Sequence, residues 1–138
     1  ADFRALYSSM KAEDTTEIKR HVQTVQEEWA SRGVSFRENE RIHLITVFFH
    51  DKPTEEESLL FVGHVGVLLT AEDGALYFVE KVAFQEPYRL LRFVDRTELS
   101  DYLMGKYDVS WGQDTARPFI MENGELMEGW RANPNGEK

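Results

Sequence analysis

At 138 residues, with 41% apolar and 12% aromatic content, the chain has the size of one domain that buries about two-thirds of its unfolded surface. Acids outnumber bases by 25 to 16, and a net charge of −9 repels a polyphosphate backbone, so nucleic acid is not an expected partner. The absence of cysteine excludes thiolate metal sites and any thiol nucleophile among these residues, and no apolar run reaches the ~18 to 20 residues that span a bilayer.

Phe3, Leu6, Tyr7 and Met10 recur at helical spacing with no capping residue before them. This reads either as an element continuing from a missing N-terminal segment of the same protein or as a frayed amphipathic helix. Asp14-Thr15-Thr16-Glu17 has the form of a capping box and predicts a helix over Thr15 to Ala30. Ile18, Val22, Val25 and Trp29 form its apolar stripe, His21 falls among its polar positions, and Gly33 closes it in the left-handed conformation.

Arg41 to Phe49 is apolar on both parities, which predicts a central strand covered on both faces. Lys52 to Glu57, with Pro53 and three acids, reads as a solvated connector. Leu60 to Thr70 and Leu76 to Phe84 are the next strands, joined through Glu72-Asp73-Gly74. After Glu86-Pro87, Leu90, Leu91, Phe93 and Val94 suggest a short strand. Asp95-Arg96-Thr97-Glu98 then opens a second helix, Glu98 to Tyr107, with Leu99, Tyr102, Leu103 and Tyr107 on its buried face. Asn123-Gly124 marks a hairpin between Phe119 and Met127, because both residue types accept positive φ.

The expected fold class is therefore α+β: an antiparallel sheet with helices packed on it. One domain is expected over residues 1–131, followed by a disordered tail at 132–138.

Among four histidines, His64 has the most suggestive surroundings. Gly63 and Gly66 remove bulk beside it, and Gly66 shares its face, leaving room for a ligand or another backbone. Glu80 on the returning strand is a candidate partner, and the turn decides the pairing. A three-residue loop Glu72-Asp73-Gly74 sets Glu80 opposite Gly66 and diagonal to His64, about 7 to 8 Å between backbone positions. A two-residue Asp73-Gly74 turn sets it opposite Val67, pointing away. His43 reads as a core or edge histidine with a backbone hydrogen-bond partner. His50-Asp51 lacks the further ligands a metal centre needs. Neither metal nor cofactor is expected. Gln85, Glu86 and Tyr88 are a candidate binding surface, against the plainer reading that Pro87 merely ends a strand.

His64-Val-Gly-Val-Leu-Leu and Leu76-Tyr-Phe-Val-Glu80 resemble the histidine strand and third-residue strand of NlpC-type, papain-like bacterial cell-wall peptidases. Leu60-Phe-Val-Gly-His-Val-Gly-Val-Leu-Leu, Val79-Glu-Lys-Val-Ala-Phe-Gln-Glu-Pro-Tyr88 and Pro118-Phe-Ile-Met-Glu-Asn123 resemble the C-terminal half of a family of bacterial surface lipoproteins known as domain of unknown function 4300. That similarity runs from about Ile18 to Leu126. It implies an extracytoplasmic location, contact with peptide or cell-wall material, and the sheet half of a papain-like domain. His64 would be the base and Glu80 its orienting residue. The nucleophile does not carry over, since the helix start at Asp14-Thr15-Thr16 holds no thiol.

Two functions follow. One is the histidine and acid half of a thiol hydrolase, inactive alone, with His64 and Glu80 partly exposed along one groove. The other is a non-catalytic peptide- or glycan-binding or scaffolding domain.

Overall fold

The structure, a computed structural model, describes residues 3–81, 85–110 and 113–135. The described residues form α1 (Phe3–Tyr7), β1 (Met10–Lys11), α2 (Ile18–Ser31), β2 (Ile42–Thr54), β3 (Glu57–Thr70), β4 (Leu76–Glu80), β5 (Arg89–Phe93), α3 (Arg96–Tyr107), β6 (Phe119–Glu122) and β7 (Glu125–Leu126). The strands make one antiparallel sheet in the order β5-β4-β3-β2-β6-β7, with β1 also on β3. This is the α+β architecture that the hydrophobic pattern predicts.

Both faces of β2 are covered, as its doubly apolar sequence requires. Ile45 and Val47 pack with Leu68, Phe78 and Ile120 beneath Leu99, Leu103 and Met104 of α3. Phe48 points the other way and joins Leu60, Phe119 and Met121 beneath Val22, Val25 and Trp29 of α2. The rings of Phe48 and Phe119 stack at 5.5 Å, and Trp29 meets Phe48 at 5.4 Å.

Several local expectations are corrected by tertiary contacts. Met10 leaves the helical spacing of Phe3, Leu6 and Tyr7 to pair with Leu60 as a strand residue. The capping box does not form: Asp14 is drawn to Lys52, and α2 starts at Ile18 with Glu17 as an N-cap that makes no side-chain capping bond. The connector expected at Lys52 to Glu57 is mostly strand. β2 runs to Thr54 and β3 starts at Glu57, leaving Glu55-Glu56 as the turn, and Pro53 lies where the ladder register is irregular. Leu76 to Phe84 forms a strand only to Glu80, and residues 82–84 lie outside the described residues. Of the tail, Asn133 donates from its backbone and side-chain amides to Asp108, while residues 136–138 lie outside the described residues.

Gly33 closes α2 at φ +77°, with its N–H on the Ala30 carbonyl and that of Val34 on Trp29, satisfying carbonyls the helix end leaves open. At the second hairpin only Asn123 takes positive φ, at 49°, and its side chain accepts from the Leu44 N–H. Asp95 caps α3 by accepting from the Glu98 N–H at 2.9 Å. Asp95→Ala is expected to cost about 1 kcal/mol, read as a lowered denaturant midpoint, because one N–H at the helix start loses its partner.

Candidate functional site

Ala71 and Ala75 close a three-residue turn, Glu72-Asp73-Gly74, between β3 and β4. Ala71 N–H bonds to the Ala75 carbonyl, Gly74 takes φ +88°, and the ladder sets Thr70 opposite Leu76 and Gly66 opposite Glu80. Glu80 is therefore diagonal to His64 on one face, and the diagonal closes: His64 Nε2 donates to Glu80 Oε1 at 2.7 Å.

A bulge on β3 aims His64. Val47 pairs with His64 but Phe48 pairs with Val62, so Gly63 is the extra residue and strand parity changes there. Val62 and Leu60 face α2, whereas His64 joins Gly66 and Leu68 on the side of α3. A Cβ on Gly63 would overlap the Phe49 ring, so a side chain at the bulge has to displace that ring.

Glu80 is held by more than the imidazole. Its Oε2 accepts from the Tyr102 hydroxyl and from Arg89 Nε at 3.2 Å, and Lys106 Nζ lies 2.8 Å from the same hydroxyl. Burial raises the carboxyl pKa, but the bonds from Tyr102 and His64 outweigh it and hold it below the usual value. The Tyr102 phenol is pushed up to about 12, by burial and by its carboxylate partner, and stays a neutral donor at physiological pH. Arg89, Tyr102 and Lys106 went unnoticed as site residues in the sequence. The signal available was that a carboxylate buried on a core face requires donors, and the Tyr102 and Lys106 pair lies four residues apart on one helix face.

The pair lies under cover rather than along a groove, which corrects that expectation. The Glu80 side chain is fully buried, that of His64 is 7% exposed, and the Tyr107 ring lies over the imidazole at 5.2 Å. The room expected at Gly66 is also taken, since a Cβ there would overlap the Phe78 ring. Gln85 and Tyr88 are exposed, Tyr88 at 71%, with Lys81 Nζ 5.5 Å from its ring centre.

His64 Nδ1 has no hydrogen-bond partner among the described residues. The imidazole is thus anchored through one nitrogen and unpaired at the other among the described residues, and a general base needs such an unpaired nitrogen.

A second histidine and acid pair repeats this pattern across the sheet. Glu122 stands opposite Ile45, in the same cross-strand row as Gly66 and Glu80. His43, two residues before Ile45, places Nδ1 on Glu122, while Arg96 of α3 grips that carboxylate at 2.7 and 2.8 Å. Its Nε2 bonds to the Asn39 carbonyl at 2.7 Å, the backbone partner expected for His43. With both nitrogens occupied, His43 lacks the unpaired nitrogen that His64 retains. No group of side chains that could hold a metal ion occurs among the described residues.

The model of the family described as domain of unknown function (DUF4300) matches residues 1–127. The chain belongs to the DUF4300 family. No curated protein and no solved structure matches it. No helix among the described residues of this DUF4300 domain is long and apolar enough to cross a membrane.

The carboxylates predict how this DUF4300 domain responds to acid. Glu122, like Glu80, has its pKa raised by burial and lowered further by its partners Arg96 and His43, ending below the usual value. The unfolded chain therefore binds more protons as the pH falls through the carboxylate range. The stability these two acids contribute is complete above the ordinary carboxylate pKa of 4.5 and is lost as the pH falls through their folded values. Urea denaturation of Glu80→Gln is expected to show a shallower loss than the wild type below about pH 4.5.

Proposed function

We propose that this domain is the base-bearing half of a papain-like thiol hydrolase that cleaves amide bonds in peptide or cell-wall material outside the cytoplasm. The observation that carries the reading is the 2.7 Å bond from His64 Nε2 to a buried, ionised Glu80, with Nδ1 unpaired among the described residues. Burial of Glu80 agrees with an orienting role, because a desolvated acid held by Tyr102 and Arg89 has one orientation to offer the ring. In such a reaction Nδ1 takes the thiol proton, the thiolate attacks the amide carbonyl, and the imidazolium returns the proton to the departing amine. Water then hydrolyses the thioester.

The thiol has to come from outside these 138 residues, which contain no cysteine, and the proposal assigns it to sequence upstream of Ala1. The test is to express the complete reading frame, map its iodoacetamide-modified cysteines by mass spectrometry, and assay peptide hydrolysis. One cysteine is expected to react rapidly, with His64→Ala slowing hydrolysis by about 10²- to 10⁴-fold. A reading frame without cysteine, or a thiol whose alkylation ignores His64→Ala, overturns the proposal.

The exposure of Tyr88 favours a second reading, an aromatic contact for a peptide or glycan alongside Gln85. On that reading Tyr88→Ala weakens binding to cell-wall fragments and His64→Ala leaves it intact. The converse result rejects it.

A further inference from the structure

His21 does not lie on the polar side of α2. It is fully buried against His50, with ring centres 4.4 Å apart, and the two rings join three separate parts of the chain. His21 Nε2 lies 2.7 Å from the Thr15 carbonyl, so this nitrogen carries the proton and Nδ1 does not. The Ala116 N–H donates to His50 Nδ1 at 2.7 Å, leaving Nε2–H to the Ser58 hydroxyl, which itself donates to the Glu13 carbonyl. Both rings are neutral in this arrangement.

Neither Nδ1 can take a proton without loss. On His21 it is sealed from solvent and faces no acceptor. On His50 a proton would set donor against donor and break the bond to Ala116. The second ring would also lie 4.4 Å from a new charge.

Nearby acids are already engaged. Glu13 is gripped by Arg20 at 2.8 and 2.9 Å, and Lys52 holds both Asp14 and Asp114, at 3.1 and 3.2 Å. Asp14 and Asp114 still favour a charge on His50, and Lys52 opposes it. Burial is the leading cause that lowers the pKa of each histidine, and a charge on His21 would lower that of His50 further.

His50 lines a hollow of about 420 Å³, whose wall also includes Ala116, Thr16, Tyr107, Arg117 and Trp130. We propose that His21 and His50 form an acid-sensitive clasp that holds the Ala116 wall of this cavity closed at neutral pH and releases it when either ring is protonated. The clasp then couples the pH outside the protein to access at the cavity.

The test uses the intact wild-type chain. Imidazole NMR resonances of His21 and His50 and hydrogen exchange at the Ala116 amide are followed over about pH 8 to 5, with exchange corrected for its intrinsic pH dependence and Ile120 as the β6 reference. The opening equilibrium at Ala116 is expected to rise about tenfold or more as the rings titrate, while Ile120 stays protected. His50→Asn, which keeps an acceptor near Ala116 but cannot titrate, should flatten the response. The proposal is overturned if the rings titrate without a change at Ala116, if they stay neutral until the domain unfolds, if Ile120 opens in parallel, or if His50→Asn retains the pH dependence.

Discussion

Replacing Glu80 with alanine is expected to lower the unfolding free energy by about 3 kcal/mol, with the denaturant midpoint falling and the slope unchanged. The carboxylate is fully buried and is the common acceptor for His64, Tyr102 and Arg89. Its removal strands the His64 and Tyr102 donors in a site water reaches poorly. The loss stays near the lower end of the range for broken buried pairs, because Arg89 is exposed enough to be hydrated. Glu80→Gln retains the shape and one acceptor, and should lose about half as much. A change below about 0.5 kcal/mol for the alanine variant would mean that the network contributes nothing to the fold.

Gly66→Ala is the second large effect, expected at the upper end of about 1 to 3 kcal/mol. The added methyl would overlap the ring of Phe78, which is completely buried, and would sit 2.9 Å from the Val79 carbonyl in the β4 ladder. Neither neighbour has free space to move into, so β4 itself has to shift, and Glu80 shifts with it. Gly63→Ala is the informative comparison. Its methyl meets only the partly exposed Phe49 ring, which can turn aside, so the smaller loss belongs there. Thermal unfolding of the two variants side by side reads the ranking. A Gly66 variant that is no worse than the Gly63 variant would contradict the packing described for this face.

What could be read from the sequence follows from how local each signal is. The apolar stripe Val22, Val25 and Trp29, the doubly apolar Ile42 to Phe49 and the cap at Asp95 are short-range patterns, and they placed α2, β2 and α3. The pairing of His64 with Glu80 depends on one residue of loop length, which the sequence leaves open and the Ala71–Ala75 closure sets.

Other features depended on partners distant in sequence. Asp14 looked like a cap but is bound by Lys52, 38 residues away. His21 followed a polar pattern along its helix, yet His50 of β2 gives it a buried neighbour. The Gly63 bulge left its own trace as a glycine, although nothing local identifies Phe49 as the ring occupying that space. Gly66 had the same ambiguity: a missing side chain can admit a ligand or a neighbouring ring, and here it admits Phe78.

Glu80 fixes His64 with the proton on Nε2 and leaves Nδ1 without one. Long-range ¹H–¹⁵N correlation of the His64 imidazole in the neutral form tests it most directly, because the two nitrogens differ plainly in shift according to which carries hydrogen. A protonated Nε2 and a bare Nδ1 are expected in the wild type, with that preference lost in Glu80→Ala. A His64 ring carrying its proton on Nδ1, or one whose tautomer is unchanged in Glu80→Ala, would contradict it.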